Sequence, residues 1–256
     1  MALIQKSLEE GILTLTIQRP EALNALNRQV IDALSAAIEA AQANTEVRVL
    51  IITGSGDKAF VAGADIKEFA DFDQVQGEEL ARRGQRELFD RVERSAKPVV
   101  AAINGFALGG GLELAMAAHV RVASSNARMG LPEVSLGVIP GYGGTQRLAQ
   151  IVGKGKAMEM VLTGGMIDAE AALACGLVNQ VVDQELLLET AHALAAKMAK
   201  NAPTALAAAL DSVLAGYSRE GFEVEVTRFG QCFNTDDFRE GTTAFLEKRK
   251  PNFPGS

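Results

Sequence analysis

Cysteine, histidine and basic charge are all scarce in this 256-residue chain, and each scarcity removes a class of function. There are two cysteines, Cys175 and Cys232, too few for a disulfide framework and not spaced as a metal motif. The two histidines, His119 and His192, stand alone, so no histidine-rich metal centre is expected. A net charge of -7 argues against a nucleic-acid partner, since no domain-scale basic surface follows from it. No apolar run reaches the length of a membrane span, and no basic segment precedes a short apolar one. Neither a membrane partner nor a secretory signal is therefore expected, and the cytoplasm is the expected compartment. The patterns GxGxxG, GxxxxGK[ST] and GxSxG are also missing, which weakens dinucleotide, nucleoside-triphosphate and serine-hydrolase readings together.

What the chain does have is concentrated between Asn104 and Arg147. The unbroken apolar run Val99 to Ile103 lacks alternation and reads as a strand covered on both faces. Gly105 and the triplet Gly109-Gly110-Gly111 follow, and Leu112 to Ala118 reads as a short apolar helix. Glycines at a strand-to-helix junction leave backbone N–H groups free, and the helix dipole adds to their field, so an anion or a developing oxyanion fits there. Two carboxylates lie in otherwise buried-looking runs: Glu113 inside the helix and Glu133 after Pro132. Each can be a salt-bridged or helix-capping side chain, or an acid of raised pKa suited to proton transfer. A second loop, Ala62-Gly63-Ala64-Asp65, carries small residues that permit close approach, either for tight packing or for offering an N–H to the same cleft. Tyr142 lines a pocket or packs, with nothing in the sequence to choose between them. His119 is expected to be structural. Lys248-Arg249-Lys250 reads as solvated surface or as a contact to phosphate.

Elsewhere the pattern alternates strand and helix up to about residue 182. Residues 2–8 and 12–18 flank Glu10-Gly11 as a hairpin. A helix is predicted over 27–43, capped by Asn27 or Asn24. Val47 to Ile52 reads as a second buried strand, 70–78 as a mobile polar loop, and 79–96 as a helix ending before Pro98. Helices are predicted from Gly141-Tyr142-Gly143-Gly144 onward, over 154–162 and from the Asp168 cap to Gly176, followed by a strand over 177–182. Four helices, 184–201, 203–216, 219–233 and 236–248, complete the chain. The last of these are too small for a core of their own and are expected to pack across the domain or onto another subunit.

The segments Ala62 to Glu68, Asn104 to Ala115, Leu131-Pro132-Glu133 and Gly137 to Arg147, together and in order, resemble the enoyl-CoA hydratase/isomerase (crotonase) family over essentially the full length. The resemblance implies an α/β fold, a spiral of repeated ββα units over residues 1–195. A helical C-terminal region, 196–256, would make trimer contacts in a homotrimer or a hexamer of two trimers. It implies an acyl-CoA thioester substrate, with coenzyme A part of the substrate and no separate cofactor. Ala64 and Gly110 would supply the oxyanion-hole N–H groups, and Glu113 and Glu133 would hold and activate water. Ala62, Gly63, Asp65, Ile66, Lys67, Gly109, Leu131, Gly141 and Tyr142 would line the substrate, with Gly141 over the water. The presence of both glutamates favours a hydratase adding water reversibly and syn to a trans-2-enoyl-CoA, the hydro-lyase step of fatty-acid β-oxidation. Other family reactions (isomerase, hydrolase, lyase, dehalogenase) and a non-catalytic homologue are the alternatives. His119 and Tyr142 depart from the residues frequent in relatives.

Overall fold

A computed structural model describes residues 2–218 and 220–256. The chain begins with the expected hairpin: β1 (Ile4–Glu9) and β2 (Ile12–Ile17) pair antiparallel, from Ile4 opposite Ile17 to Glu9 opposite Ile12. The turn needs two left-handed residues, Glu10 and Gly11, as two-residue hairpin loops do. Asn27 then caps α1 (Arg28–Ala43) by accepting the Val30 N–H at 2.9 Å.

From there the chain winds as a spiral. Each turn lays one strand in a first sheet, crosses a corner, lays a short strand in a second sheet, and returns through a helix. The turns are β3 (Val49–Gly54) with β4 (Ala59–Val61), β5 (Val99–Ile103) with β6 (Phe106–Leu108), and β7 (Val120–Ser124) with β8 (Arg128–Gly130). The returning helices are α2 (Gln74–Gly84), which continues through a π turn at Gln85–Phe89 into α3 (Asp90–Glu93), then α4 (Gly110–Ala117) and α5 (Gly144–Thr163). After α5 come β9 (Met166–Asp168), α6 (Ala169–Ala174) and β10 (Gln180–Val182). The first sheet runs β1-β2-β3-β5-β7-β10 and the second β4-β6-β8-β9, parallel except at β1 and β9. This is the α/β spiral of ββα units that the sequence resemblance implied.

Two side chains close the corners. The buried Asn104 amide donates to the Gly54 and Gly56 carbonyls, and its oxygen accepts the Gly54 N–H at 3.2 Å. Asn24, fully buried, donates to Ser55 O and Ala59 O. It is therefore a corner residue, and Asn27 alone caps α1. Each amide satisfies carbonyls that the bend removes from the sheet ladders.

The runs without alternation are explained by burial on both faces. On β3, Leu50 and Ile52 join the main core with α1 and α4, while Val49 and Ile51 face the opposite way. That outer face is covered by α7 (Leu187–Ala199) through Leu187, Ala191 and Ala195. The boundary expected at residue 195 falls inside this helix. The final helices, α8 (Pro203–Ala215), α9 (Gly221–Cys232) and α10 (Asp236–Leu246), lie beyond it, and no described residue of α8 or α9 is buried.

Three expectations change. The segment 70–78 is not all loop: Asp73 and Gln76 form a reciprocal capping box that starts α2 at Gln74, an N-terminal signature. The two helices expected over 141–162 are present, but the first starts at Gly144 and not at Gly141, and they abut within α5 at Gly153 (φ 78°, ψ 157°). The strand expected over 177–182 contains only Gln180–Val182.

Candidate active site

The second sheet ends where the first two glycine-rich segments meet. Leu26 and Ala64 form an isolated parallel bridge, in which the Leu26 N–H donates to Gly63 O and the Asp65 N–H to Leu26 O. The Ala64 N–H between them has no backbone acceptor among the described residues. Gly110 opens α4, so its N–H has no partner inside the helix. A Cβ built on Gly110 would stand 3.6 Å from the Ala64 nitrogen. The two amides therefore lie close together. That closeness depends on two neighbours. Gly109 takes φ 49° and ψ −124°, which a side chain resists. Gly111 lets α4 lie against β4, because a Cβ there would meet Val61 O at 1.9 Å.

Glu113 sits one turn into α4 with 1% of its surface exposed. Its Oε1 accepts the N–H groups of Tyr142 and Gly144, both at 2.8 Å. Gly144 begins α5, so the carboxylate caps that helix, and the structural role weighed from sequence is real. Oε2 has no protein partner among the described residues, on a side chain that lines the cavity. Burial pushes the Glu113 pKa up from an ordinary 4.5 to about 7; the two N–H bonds resist that rise and repulsion from Glu133 adds to it. Glu133 begins the 3₁₀ turn Glu133–Leu136. Its Oε2 is buried with no hydrogen-bond partner, and burial raises its pKa as well. A buried carboxyl oxygen without a hydrogen bond favours the protonated acid, in line with the raised pKa.

The loop carrying the two N–H donors to Glu113 is held from behind by residues whose role the sequence did not reveal. Arg147, buried, donates to Tyr142 O at 2.8 Å and pairs with Glu93 at 2.8 Å and Asp90 at 3.1 Å. Gln85, in the π turn, donates to Gly141 O at 2.6 Å. An arginine three residues past a double glycine was the only sequence signal for this brace.

Ala62, Gly63, Ala64, Ile66, Gly109, Gly110, Glu113, Glu133, Gly141 and Tyr142 all line a single cavity of about 490 Å³. Its remaining walls are mostly apolar, with Phe69, Phe72, Leu80, Leu136, Val138 and Ile139 among them, none singled out by sequence because apolar residues carry no chemical signature. Three residues expected to line the substrate, Leu131, Lys67 and Asp65, are not in this wall. Leu131 is fully buried in the main core. Asp65 borders the neighbouring cavity, with its carboxylate 2.7 Å from Arg19, whose guanidinium holds its pKa below the usual value. Tyr142 does both things left open: its ring stacks on Phe89 with centroids 4.7 Å apart, and it lines the cavity. His119 is structural, accepting the Val99 N–H and meeting Glu93 O at 3.0 Å. Arg249, in the terminal basic cluster, is engaged by Glu240 and Glu247.

A sequence profile described as enoyl-CoA hydratase/isomerase matches residues 7–256. The short-chain-enoyl-CoA hydratase of Clostridium acetobutylicum is 44% identical over 247 residues, 94% of each chain. The 2,3-dehydroadipyl-CoA hydratase of Escherichia coli K12 is 43% identical over 252 residues, 97% of each chain. A crystal structure of the enoyl-CoA hydratase from Bacillus anthracis superposes with a TM-score of 0.93 at 37% identity, covering 99% of this chain and 100% of that one.

Proposed function

We propose that this chain, which belongs to the enoyl-CoA hydratase/isomerase family, catalyses the reversible hydration of a trans-2-enoyl-CoA to the 3-hydroxyacyl-CoA. The observation that carries this reading is the presence of a buried carboxyl group, Glu113, a half-buried one, Glu133, and two neighbouring backbone amides on the wall of one largely apolar cavity. An isomerase needs one group to move a proton between carbons. Adding water requires that one proton be taken and another given, which two acids of raised pKa divide naturally.

In this reading the thioester oxygen lies between the N–H groups of Ala64 and Gly110. They withdraw electron density from the conjugated double bond and hold the enolate that forms, each donor contributing on the order of 3–4 kcal/mol. Glu113 Oε2 takes a proton from water as the water oxygen bonds to C3. Glu133 gives its proton to C2. One H₂O has been added and the protonation of the pair has been exchanged, which solvent resets. The Tyr142 and Gly144 N–H groups fix the Glu113 carboxylate so that one oxygen faces the reaction. The Glu133 oxygen that lacks a protein partner acquires one when water enters.

The C-terminal helices support an assembly of three copies, alone or doubled to six. Phe222, Phe245 and Leu246 are 85%, 83% and 79% exposed, an apolar face that further copies would cover. Light scattering gives the mass directly, and a monomer at micromolar concentration contradicts this part of the proposal.

The test is product analysis with crotonyl-CoA beside a 3-enoyl-CoA, using wild type and Glu133→Gln. Hydration by the wild type, with a fall of about 100-fold or more in kcat for the variant and thioester affinity within a few-fold, is the expected result. An unchanged hydration rate in the variant, or double-bond migration without hydration in the wild type, overturns it.

A further inference from the structure

Beside the catalytic cavity lies a second one of about 600 Å³, between the start of α1 and α2. Leu26, Ile31, Phe69, Phe72, Val75 and Leu80 give it an apolar interior, and the Arg83 to Asp32 ion pair at 2.8 Å crosses from α2 to α1 beside them. The two cavities share a wall that includes Phe69, Phe72, Leu80 and the ring of Tyr142. We propose that the Tyr142 ring is the central part of the partition that ends the acyl pocket, making the enzyme selective for short enoyl chains, and that the second cavity is acyl space closed off by this ring together with Phe69, Phe72 and Leu80.

The partition is rigid by construction. The Tyr142 N–H is bound to Glu113, its carbonyl to Arg147, and its ring is stacked on Phe89 at an interplanar angle of 16°. The helix beside it is also cut back to make room for it. A Cβ on Gly84 would fall 2.2 Å from the ring, and Gly84 is the last residue before the π turn. A glycine inside a helix costs about 1 kcal/mol relative to alanine, so its place here is explained by the ring it accommodates. The ring is 6% exposed. With its backbone held and its ring stacked on Phe89, it is a fixed wall and does not act as a flap.

This inference rests on an acyl-CoA occupying the catalytic cavity, so its test reads binding separately from turnover. Dissociation constants are measured for saturated acyl-CoA thioesters from C4 to C12 with wild type, Tyr142→Ala and Tyr142→Phe. Each further methylene that finds apolar cover is worth about fourfold in affinity. For the wild type and the Phe variant, affinity stops rising once the chain reaches the ring. For the Ala variant it continues to rise, so that the long-to-short affinity ratio grows by at least about 10-fold. Parallel profiles for wild type and Ala variant, or a Phe variant that behaves like Ala, overturn the proposal. If the Ala variant does not fold, Tyr142→Leu opens the same wall in part and is held to the same criterion. Wild type that binds these thioesters but does not hydrate crotonyl-CoA refutes the reaction and leaves the partition standing or falling on its own profile.

Discussion

Replacing Glu113 with Gln should stabilise this protein at neutral and alkaline pH while removing its activity. Gln keeps an oxygen for the Tyr142 and Gly144 N–H groups, so the cap on α5 survives. What disappears is the need to bury a charge. The folded-state pKa of Glu113 is raised from 4.5 to about 7. Below 4.5 the carboxyl is neutral in both states and costs nothing. Between 4.5 and about 7 the unfolded chain has released its proton while the folded chain keeps it, so wild-type stability falls by about 1.4 kcal/mol per pH unit. Above about 7 the loss is complete, at about 3 kcal/mol relative to acid pH. Other titrating groups are common to both proteins and cancel in the difference. Urea unfolding of ligand-free wild type and E113Q, at one protein concentration, is compared at about pH 5 and about pH 8. The stability of the variant relative to wild type is expected to increase by about 2.5 kcal/mol across that window. A difference that stays flat, or that moves in favour of the wild type as pH rises, refutes the claim that Glu113 is held in a desolvated place at a cost in stability.

Gly109→Ala places a Cβ 2.6 Å from Glu133 Oε1 and at a positive φ. Steady-state kinetics should give a fall in kcat of about 100-fold or more, with weaker effects on acyl-CoA affinity. Arg147→Met leaves Glu93, Asp90 and the Tyr142 carbonyl without their partner. Denaturant unfolding should record a loss of about 3–5 kcal/mol, whereas a loss below about 1 kcal/mol would remove Arg147 as the brace of the loop. Because Glu133 must keep its proton to give it to C2 and Glu113 must be ionised to accept one from water, kcat/KM for crotonyl-CoA should fall where Glu133, whose pKa burial also raises, loses its proton, and should rise with pH through about 7 as Glu113 ionises. The rising limb should be missing from thioester binding by the Glu113→Gln variant.

The residues that carry chemistry were legible because their setting in the sequence was improbable on structural grounds. Three consecutive glycines and two glutamates in apolar runs have few bland explanations, and both glutamates and both amide-bearing residues meet at one cavity. The long elements were legible for a related reason: α1 and β3 repeat their burial over 16 and 6 residues. The strands of the second sheet after its corners, β4, β6, β8 and β9, have three residues each. That is less than two periods of alternation and gives no signal. The start of α2 was masked by polar residues, although Asp73 and Gln76 were a readable capping box. The pairing of Arg147 with Glu93 and the corner bonds donated by the Asn24 and Asn104 amides span 31 or more residues, as with Asn104 and Ala59, and local pattern cannot announce them. Asp65, Lys67 and Leu131 belong to the motifs without lining this cavity, so membership of a motif does not by itself put a side chain in the wall.

The most direct measurement is a crystal structure with a bound 3-ketoacyl-CoA, which has no C2=C3 double bond to hydrate and whose enolate form mimics the intermediate. The thioester oxygen should lie about 3 Å from both the Ala64 and the Gly110 nitrogens, with the acyl C3 beside the free oxygens of Glu113 and Glu133. A thioester oxygen turned toward solvent, or bound by only one of the two amides with the carboxylates remote from C3, would contradict the account.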